Sequence, residues 1–221
     1  MKFPPLYLIA DPACYKEEYG KDPEAFFEGI REAVAGGLRL VQYRDKFRSR
    51  GEMFEIAKQL REITRKEGAA LIINDQIDLA MAIKADGVHL GQNDFPVSMA
   101  RQLLGETALI GLSTHHLKEV REAASQAVDY IGFGPIFPTP TKQTHDPALG
   151  IAGLAKIRGK IPLPIYAIGG IRFSHLQDLV AAGASGVAVA SALQGADRKT
   201  LEQWQSTLER TLEKRRLKEL H

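Results

Sequence analysis

Short apolar runs alternating with helical patterns constrain this chain more than any other feature. The runs are Leu6–Ala10, Leu38–Tyr43, Leu71–Ile73, Gly87–Leu90, Leu109–Ser113, Tyr130–Gly134, Ile165–Ile168 and Val187–Ala190. Most are followed by residues with helical periodicity before the next run begins. After the first run, Asp22-Pro23-Glu24 offers a cap, a proline at the first helical position and an acid in the first turn; Phe26, Phe27, Ile30, Ala33 and Val34 then recur until Gly36-Gly37. Further helices are expected over Glu52–Lys66, Ile77–Ile83, Pro96–Leu104, Leu117–Ala127, Leu149–Arg158, Ser174–Ala182 and Lys199–Leu217. Such alternation implies parallel strands with helical crossovers, and eight of them imply a closed (β/α)8 TIM barrel. An open doubly wound sheet is disfavoured, because no GxGxxG follows the first strand and no composition break divides the chain. A single domain over residues 1–221 is the expectation.

Composition removes several function classes. With 221 residues and 44% hydrophobic content there is enough material for one sizeable core. A net charge of +2 offers no argument for nucleic acid or a membrane surface. Cys14 is the lone cysteine, so neither an intrachain disulfide nor a cysteine-based metal site can form. No apolar run approaches the roughly 20 residues needed to span a bilayer. MKFPPLYLIADP reads as a strand and not as a signal peptide, so a cytoplasmic protein is expected. A homodimeric assembly stays open.

In a barrel of this kind chemistry collects where the strands end. Gln42, Arg44 and Lys46 follow the second strand, Asn74 and Asp75 the third, and Asp94 the fourth. Ser113 ends the fifth. Thr139, Thr141 and Lys142 follow the sixth, Gly169-Gly170 the seventh, and Ser191 the eighth. Adjacent strands place Asp75 and Asp94 in one volume. Two carboxylates without a nearby His or Cys suit a hard cation that keeps its waters and shares a phosphate oxygen, which points to magnesium. The plainer alternative is a helix cap at Asp75 and a turn at Asp94. Gly169-Gly170 and Ala190-Ser191 stand where barrels commonly bind phosphate, with glycine admitting close approach and a following helix adding its dipole. Two tight turns would explain the same residues.

Arg44, Lys46 and Lys142 add three cations, a set suited to a metal-bridged diphosphate. Asp45 is expected to turn the other way and pair with one of its two neighbours. The segment 135–147 is expected to be a binding loop or lid. His115 and His116 are acid–base candidates, though a pair at a helix start more often caps it. His89 is expected in the barrel wall, and Glu209–Lys218 on a solvated helix face.

Together the segments QYRDK (Gln42–Lys46), IIND…DLA (Ile72–Ala80), GVHLGQND (Gly87–Asp94), GLSTH (Gly111–His115), DYIGFGPIFPTPTK (Asp129–Lys142), AIGGI (Ala167–Ile171) and GVAVAS (Gly186–Ser191) resemble thiamine phosphate synthases. They run from end to end of the chain in the family's order. The resemblance implies a magnesium-dependent transferase that joins hydroxymethylpyrimidine diphosphate to hydroxyethylthiazole phosphate, giving thiamine phosphate and pyrophosphate. It implies Asp75 and Asp94 as metal ligands. Gln42, Arg44, Lys46, Asn74, Ser113 and Lys142 match contacts to the pyrimidine diphosphate, and Thr139, Thr141, Gly170, Ala190 and Ser191 match the thiazole phosphate site. Tyr43, Asp45 and Pro140 count among the substrate-binding positions as members of the same motifs. Arg44, Lys46, Ser113 and Lys142 carry the catalytic expectation.

Asp45 stands where the family usually has Glu, and Ala190 replaces a larger branched residue. The implied chemistry is dissociative: the amino-substituted ring delocalises the cation left by pyrophosphate, and the thiazole nitrogen attacks without losing a proton. Two alternatives accompany this reading. One is a thiazole tautomerase that uses His115, and the other a barrel that binds thiamine intermediates without catalysis.

Overall fold

The computed structural model describes residues 3–15, 23–139 and 147–220. Eight strands, β1 (Leu6–Ala10), β2 (Leu40–Tyr43), β3 (Ala70–Asn74), β4 (Gly87–Leu90), β5 (Leu109–Thr114), β6 (Tyr130–Phe133), β7 (Ile165–Ile168) and β8 (Gly186–Val189), pair in chain order. All neighbours are parallel, and β8 returns to β1 with Leu6 opposite Val187, closing the barrel. Around it lie α1 (Pro23–Ala35), α2 (Arg50–Lys66), α3 (Ile77–Ile83), α4 (Val97–Leu104), α5 (Leu117–Ala123), α6 (Gly150–Ile157), α7 (Leu176–Ala181) and α8 (Arg198–Glu219). This is the (β/α)8 barrel that the alternation implies.

The strands read as continuous apolar runs because both of their faces are covered. Along β1, Leu6, Leu8 and Ala10 pack outward beneath the helices, whereas Tyr7 and Ile9 fill the lumen with Leu40, Ile72, Tyr130, Tyr166 and Ala188. Three of these lumen residues form an edge-to-face aromatic cluster: Tyr7 lies 5.8 Å from Tyr130 and 5.3 Å from Tyr166, and Tyr130 lies 5.4 Å from Tyr166, ring centre to ring centre. The outer layer holds the larger core, and each leucine, isoleucine or phenylalanine buried there contributes about 1.5–3 kcal/mol.

Helix boundaries differ from expectation where side chains cap them. α2 begins two residues before Glu52 because Ser49 and Glu52 form a capping box. Its buried stripe is Met53, Ile56, Ala57, Leu60 and Thr64, leaving Phe54 and Ile63 half-buried at its edges. α5 stops at Ala123, short of Ala127, since the Ser125 hydroxyl donates to the Glu122 carbonyl and the backbone tightens to three-residue bonds. The expected cap of α1, Asp22, lies outside the described residues. Nor is the terminal run Glu209–Lys218 wholly solvated. Arg215 is half-buried and donates to the carbonyls of Val180 and Ala184, fastening α8 to the end of α7.

Candidate active site

Parity along β2 determines which side chains reach the mouth. Gln42 faces the lumen, and Arg44 and Lys46 continue on the same side, as a period of two requires. Tyr43 and Asp45 fall on the other side. Tyr43 belongs to the outer core, and its hydroxyl donates to Asp45 Oδ2 at 3.2 Å. Asp45 accepts from the Phe47 and Arg48 N–H groups at 3.0 and 3.2 Å and from the Arg48 guanidinium at 2.8 Å. The expected pairing of Asp45 with Arg44 or Lys46 is therefore replaced by one with Arg48. Neither Tyr43 nor Asp45 presents its side chain to the mouth; both brace the loop that carries Lys46. Burial works against the Asp45 charge, but these three donors outweigh it and hold the carboxyl below its ordinary range.

The next two strands bring the acidic residues together. Asp75 is the first residue beyond β3 and adopts the left-handed conformation, φ 61°, with its N–H donating to the His89 carbonyl at 2.8 Å. Asp tolerates this region better than most residues, and such strain gathers at functional sites. Asp94 folds back so that Oδ2 accepts from the Gly91 N–H at 2.7 Å. Glycine at 91 leaves room for this contact, since a Cβ there would stand 2.8 Å from that oxygen and push the carboxylate aside. The Asp94 carboxyl then meets that of Asp75. Partial burial and the Asp75 contact raise its pKa, while the Gly91 N–H and the Lys46 ammonium pull it down.

Lys46 Nζ donates to Asp75 Oδ2, and Arg44 Nη1 donates to the buried Asp11. Both cations are thus tethered and aimed, which the sequence reading did not foresee for Arg44. Two touching carboxylates with one ammonium against them leave a net negative pocket that fits a divalent cation. Among the described residues no group of three or more His, Cys, Asp or Glu converges. The chain would supply two ligands, leaving water and substrate oxygens to complete the shell that magnesium prefers.

Two adjoining cavities open at this rim. The smaller, about 140 Å³, is lined by Gln42, Arg44, Lys46, Asn74, Asp75, Asp94 and Ser113, over a floor of Tyr7, His89, Tyr130 and Tyr166. The larger, about 350 Å³, is lined by Thr139, Gly169, Gly170, Ala190 and Ser191, with His115 and Arg172. Arg44 and Ser113 border both. Pro140, Thr141 and Lys142 lie outside the described residues.

Gly169 and Gly170 have φ of 98° and 62°. A Cβ on Gly170 would stand 2.5 Å from the Pro138 carbonyl oxygen, so glycine here admits the loop after β6 as well as the turn. That loop is pinned by Ile136 N–H on the Ile168 carbonyl and Phe137 N–H on the Gly169 carbonyl, at 2.8 and 3.0 Å. The expected helix dipole beside this cavity is weak. Short 3-10 turns, Phe173–His175 and Ser191–Leu193, begin there instead of long helices. His115 Nδ1 donates to the Gly134 carbonyl, so its place in the larger cavity is set by backbone, and His116 pairs with Glu119 at 3.1 Å.

Sequence reasoning placed the strand-end residues and put His89 in the barrel wall, but missed Asp11, Arg172 and the floor tyrosines Tyr7, Tyr130 and Tyr166. Arg172 carried a signal, standing two residues past Gly170. Asp11 carried the strand-end signal too, directly following the first apolar run, although its partner Arg44 lies 33 residues away.

The chain is similar to known proteins in both sequence and fold. The family described as "Thiamine monophosphate synthase" matches residues 6–193. A thiamine-phosphate synthase of Chloroflexus aurantiacus is 44% identical over 195 residues, 88% of this chain and 87% of that protein. One from Syntrophomonas wolfei is 42% identical, covering 86% and 88%. Among solved structures, a thiamine phosphate pyrophosphorylase from Pyrococcus furiosus superposes with a TM-score of 0.80 at 36% identity, covering 95% of this chain and 97% of that one. With that coverage, and with paired cavities at the carboxyl ends of its strands, the chain belongs to the thiamine monophosphate synthase family.

Proposed function

We propose that the two cavities hold the two halves of thiamine, with hydroxymethylpyrimidine diphosphate in the smaller and hydroxyethylthiazole phosphate in the larger. The reaction releases pyrophosphate and leaves thiamine phosphate, an alkyl transfer in a soluble, cytoplasmic setting. No helix of the described residues is long and apolar enough to cross a membrane. One observation carries the reading: the cavities meet at Arg44 and Ser113, so a ring in each would present its reacting atom to the other.

In this proposal Arg44 and Lys46 receive diphosphate oxygens through charge-assisted hydrogen bonds, and Lys142 adds a third cation. Asp75 and Asp94 would hold magnesium, which supplies positive charge against the departing pyrophosphate. Gln42, Asn74 and Ser113 orient the aminopyrimidine. Thr139, Gly170, Ala190 and Ser191 hold the thiazole phosphate, with backbone N–H groups of the glycine turn as donors. The thiazole nitrogen becomes quaternary on attack and has no proton to lose, so the mouth needs no general base. Orientation of the two rings supplies much of the remaining rate.

The test is to incubate the purified protein with both substrates and magnesium and to assay thiamine phosphate and pyrophosphate. Equal amounts of both, formed only when both substrates are present, are expected. Proton exchange on the thiazole without condensation would overturn the reading in favour of an isomerase. Tight product binding without turnover would mark a non-catalytic binder.

A further inference from the structure

Beneath the smaller cavity a buried chain of hydrogen bonds joins Gln42 to Ser113. Gln42 Nε2 donates to the Tyr7 hydroxyl at 2.7 Å, and the Tyr7 and Tyr130 hydroxyls lie 2.8 Å apart. Tyr130 OH lies 3.2 Å from His89 Nδ1, and His89 Nε2 lies 3.0 Å from Ser113 Oγ. Gln42, Tyr7, Tyr130 and His89 are all buried. The fold clears space for this arrangement, since a Cβ on Gly111 would stand 2.3 Å from Tyr130 Cζ and 2.4 Å from His89 Nδ1.

Proton counting gives the chain a direction. Each phenol has one proton and a neutral imidazole has one N–H. Burial keeps both phenols protonated, pushing Tyr7 and Tyr130 above the usual range. Tyr7 accepts from Gln42, so its proton goes to Tyr130. If Tyr7 accepted from Tyr130 as well, a buried hydroxyl would lose its acceptor, at a cost of about 1–3 kcal/mol. Tyr130 then donates to His89 Nδ1, leaving the imidazole proton on Nε2 to be donated to Ser113 Oγ. The Ser113 proton is free to point into the cavity, and the Gln42 amide oxygen remains an acceptor. Turning the Gln42 amide over would reverse every bond and leave Ser113 an acceptor.

We propose that Tyr7, Tyr130 and His89 are positioning residues that set the polarity of the Gln42–Ser113 pair. The pair thereby selects a ring edge in which an exocyclic amino group neighbours an acceptor nitrogen, and rejects the corresponding oxo ring. The specificity half of this proposal rests on the pyrimidine reading of the smaller cavity, whereas the polarity half does not.

The test has two arms. In ligand-free protein labelled with 15N-histidine, at a pH above about 8 where imidazoles are neutral, ring nitrogen shifts should show His89 protonated at Nε2 and unprotonated at Nδ1. Protonation at Nδ1, or an even mixture, overturns the polarity whatever the enzyme does. In the second arm, Tyr130→Phe breaks the chain while keeping the ring; Tyr7→Phe serves should that variant fail to fold. Tyr130→Phe should erase the Nε2 preference, whereas Tyr7→Phe frees the Gln42 amide and leaves Tyr130 donating to His89 Nδ1; either should lower by at least ~10-fold the kcat/KM preference for the aminopyrimidine diphosphate over its oxo analogue. KM for the thiazole phosphate should stay unchanged. Preserved discrimination, or an equal rise in both KM values, overturns the positioning role. Absence of condensation with an Nε2 proton present would sink the functional reading and leave the polarity standing.

Discussion

Asp94 retains its proton more readily than a solvated aspartate because its carboxyl is partly buried and meets that of Asp75. A raised folded-state pKa means that this residue's contribution to stability declines as pH rises through that value. Asp94→Asn should therefore raise the melting temperature of the ligand-free protein at neutral pH while lowering turnover by at least ~100-fold, the scale of losing one electrostatic group. Asp75→Asn should lower turnover similarly with the fold intact; near-normal rates in either variant would remove that residue from the site. Asp45 has the opposite sign. Its depressed pKa gives stability that is present above the unfolded value of about 3.9 and lost as pH falls through the lower folded value. Asp45→Asn should lose about 1–3 kcal/mol at neutral pH and flatten the acid limb of a stability–pH curve. Equal acid sensitivity in variant and parent would show the Arg48 contact to be dispensable.

Among the elements, the β6 and β7 ends show how two loops share one cavity wall. Gly170 lies in the left-handed region, and its missing Cβ is the space that Pro138 occupies. Gly170→Ala should displace the loop that carries Thr139, and a shift near 1 Å at a positioning contact can cost about 100-fold in rate. The effect should concentrate on the thiazole phosphate, leaving the KM of the pyrimidine diphosphate near its parent value. A loss shared evenly by both substrates would mean that the barrel rim as a whole had moved. The cap of α2 lies outside both cavities: Ser49→Ala removes its capping box and should lower stability by about 1 kcal/mol with turnover near the parent value.

The carboxylates proposed to hold magnesium lie at the rim, outside the apolar core, so chelation should abolish turnover while leaving the thermal midpoint of the ligand-free protein in place. A lower midpoint with chelator would show an ion built into the fold. The run of strands and helices was legible in the chain because each apolar segment and each amphipathic stripe is a local pattern; β1, β4 and β7 coincide with their apolar runs. The strand-end residues were legible too, because a parallel barrel sends the carboxyl end of every strand to one rim. Period two also separates Gln42, Arg44 and Lys46 from Tyr43 and Asp45, so the motif that grouped all five was broader than the geometry allows. What the sequence by itself determined was the eightfold alternation and the residue types at the rim, since both follow from short-range periodicity. Only the tertiary structure decided that Asp11 braces Arg44, that Asp75 and Asp94 touch, and that Tyr7, Tyr130 and His89 link Gln42 to Ser113. Those contacts join residues from different strands, and their distances are set by barrel closure, which no local pattern encodes.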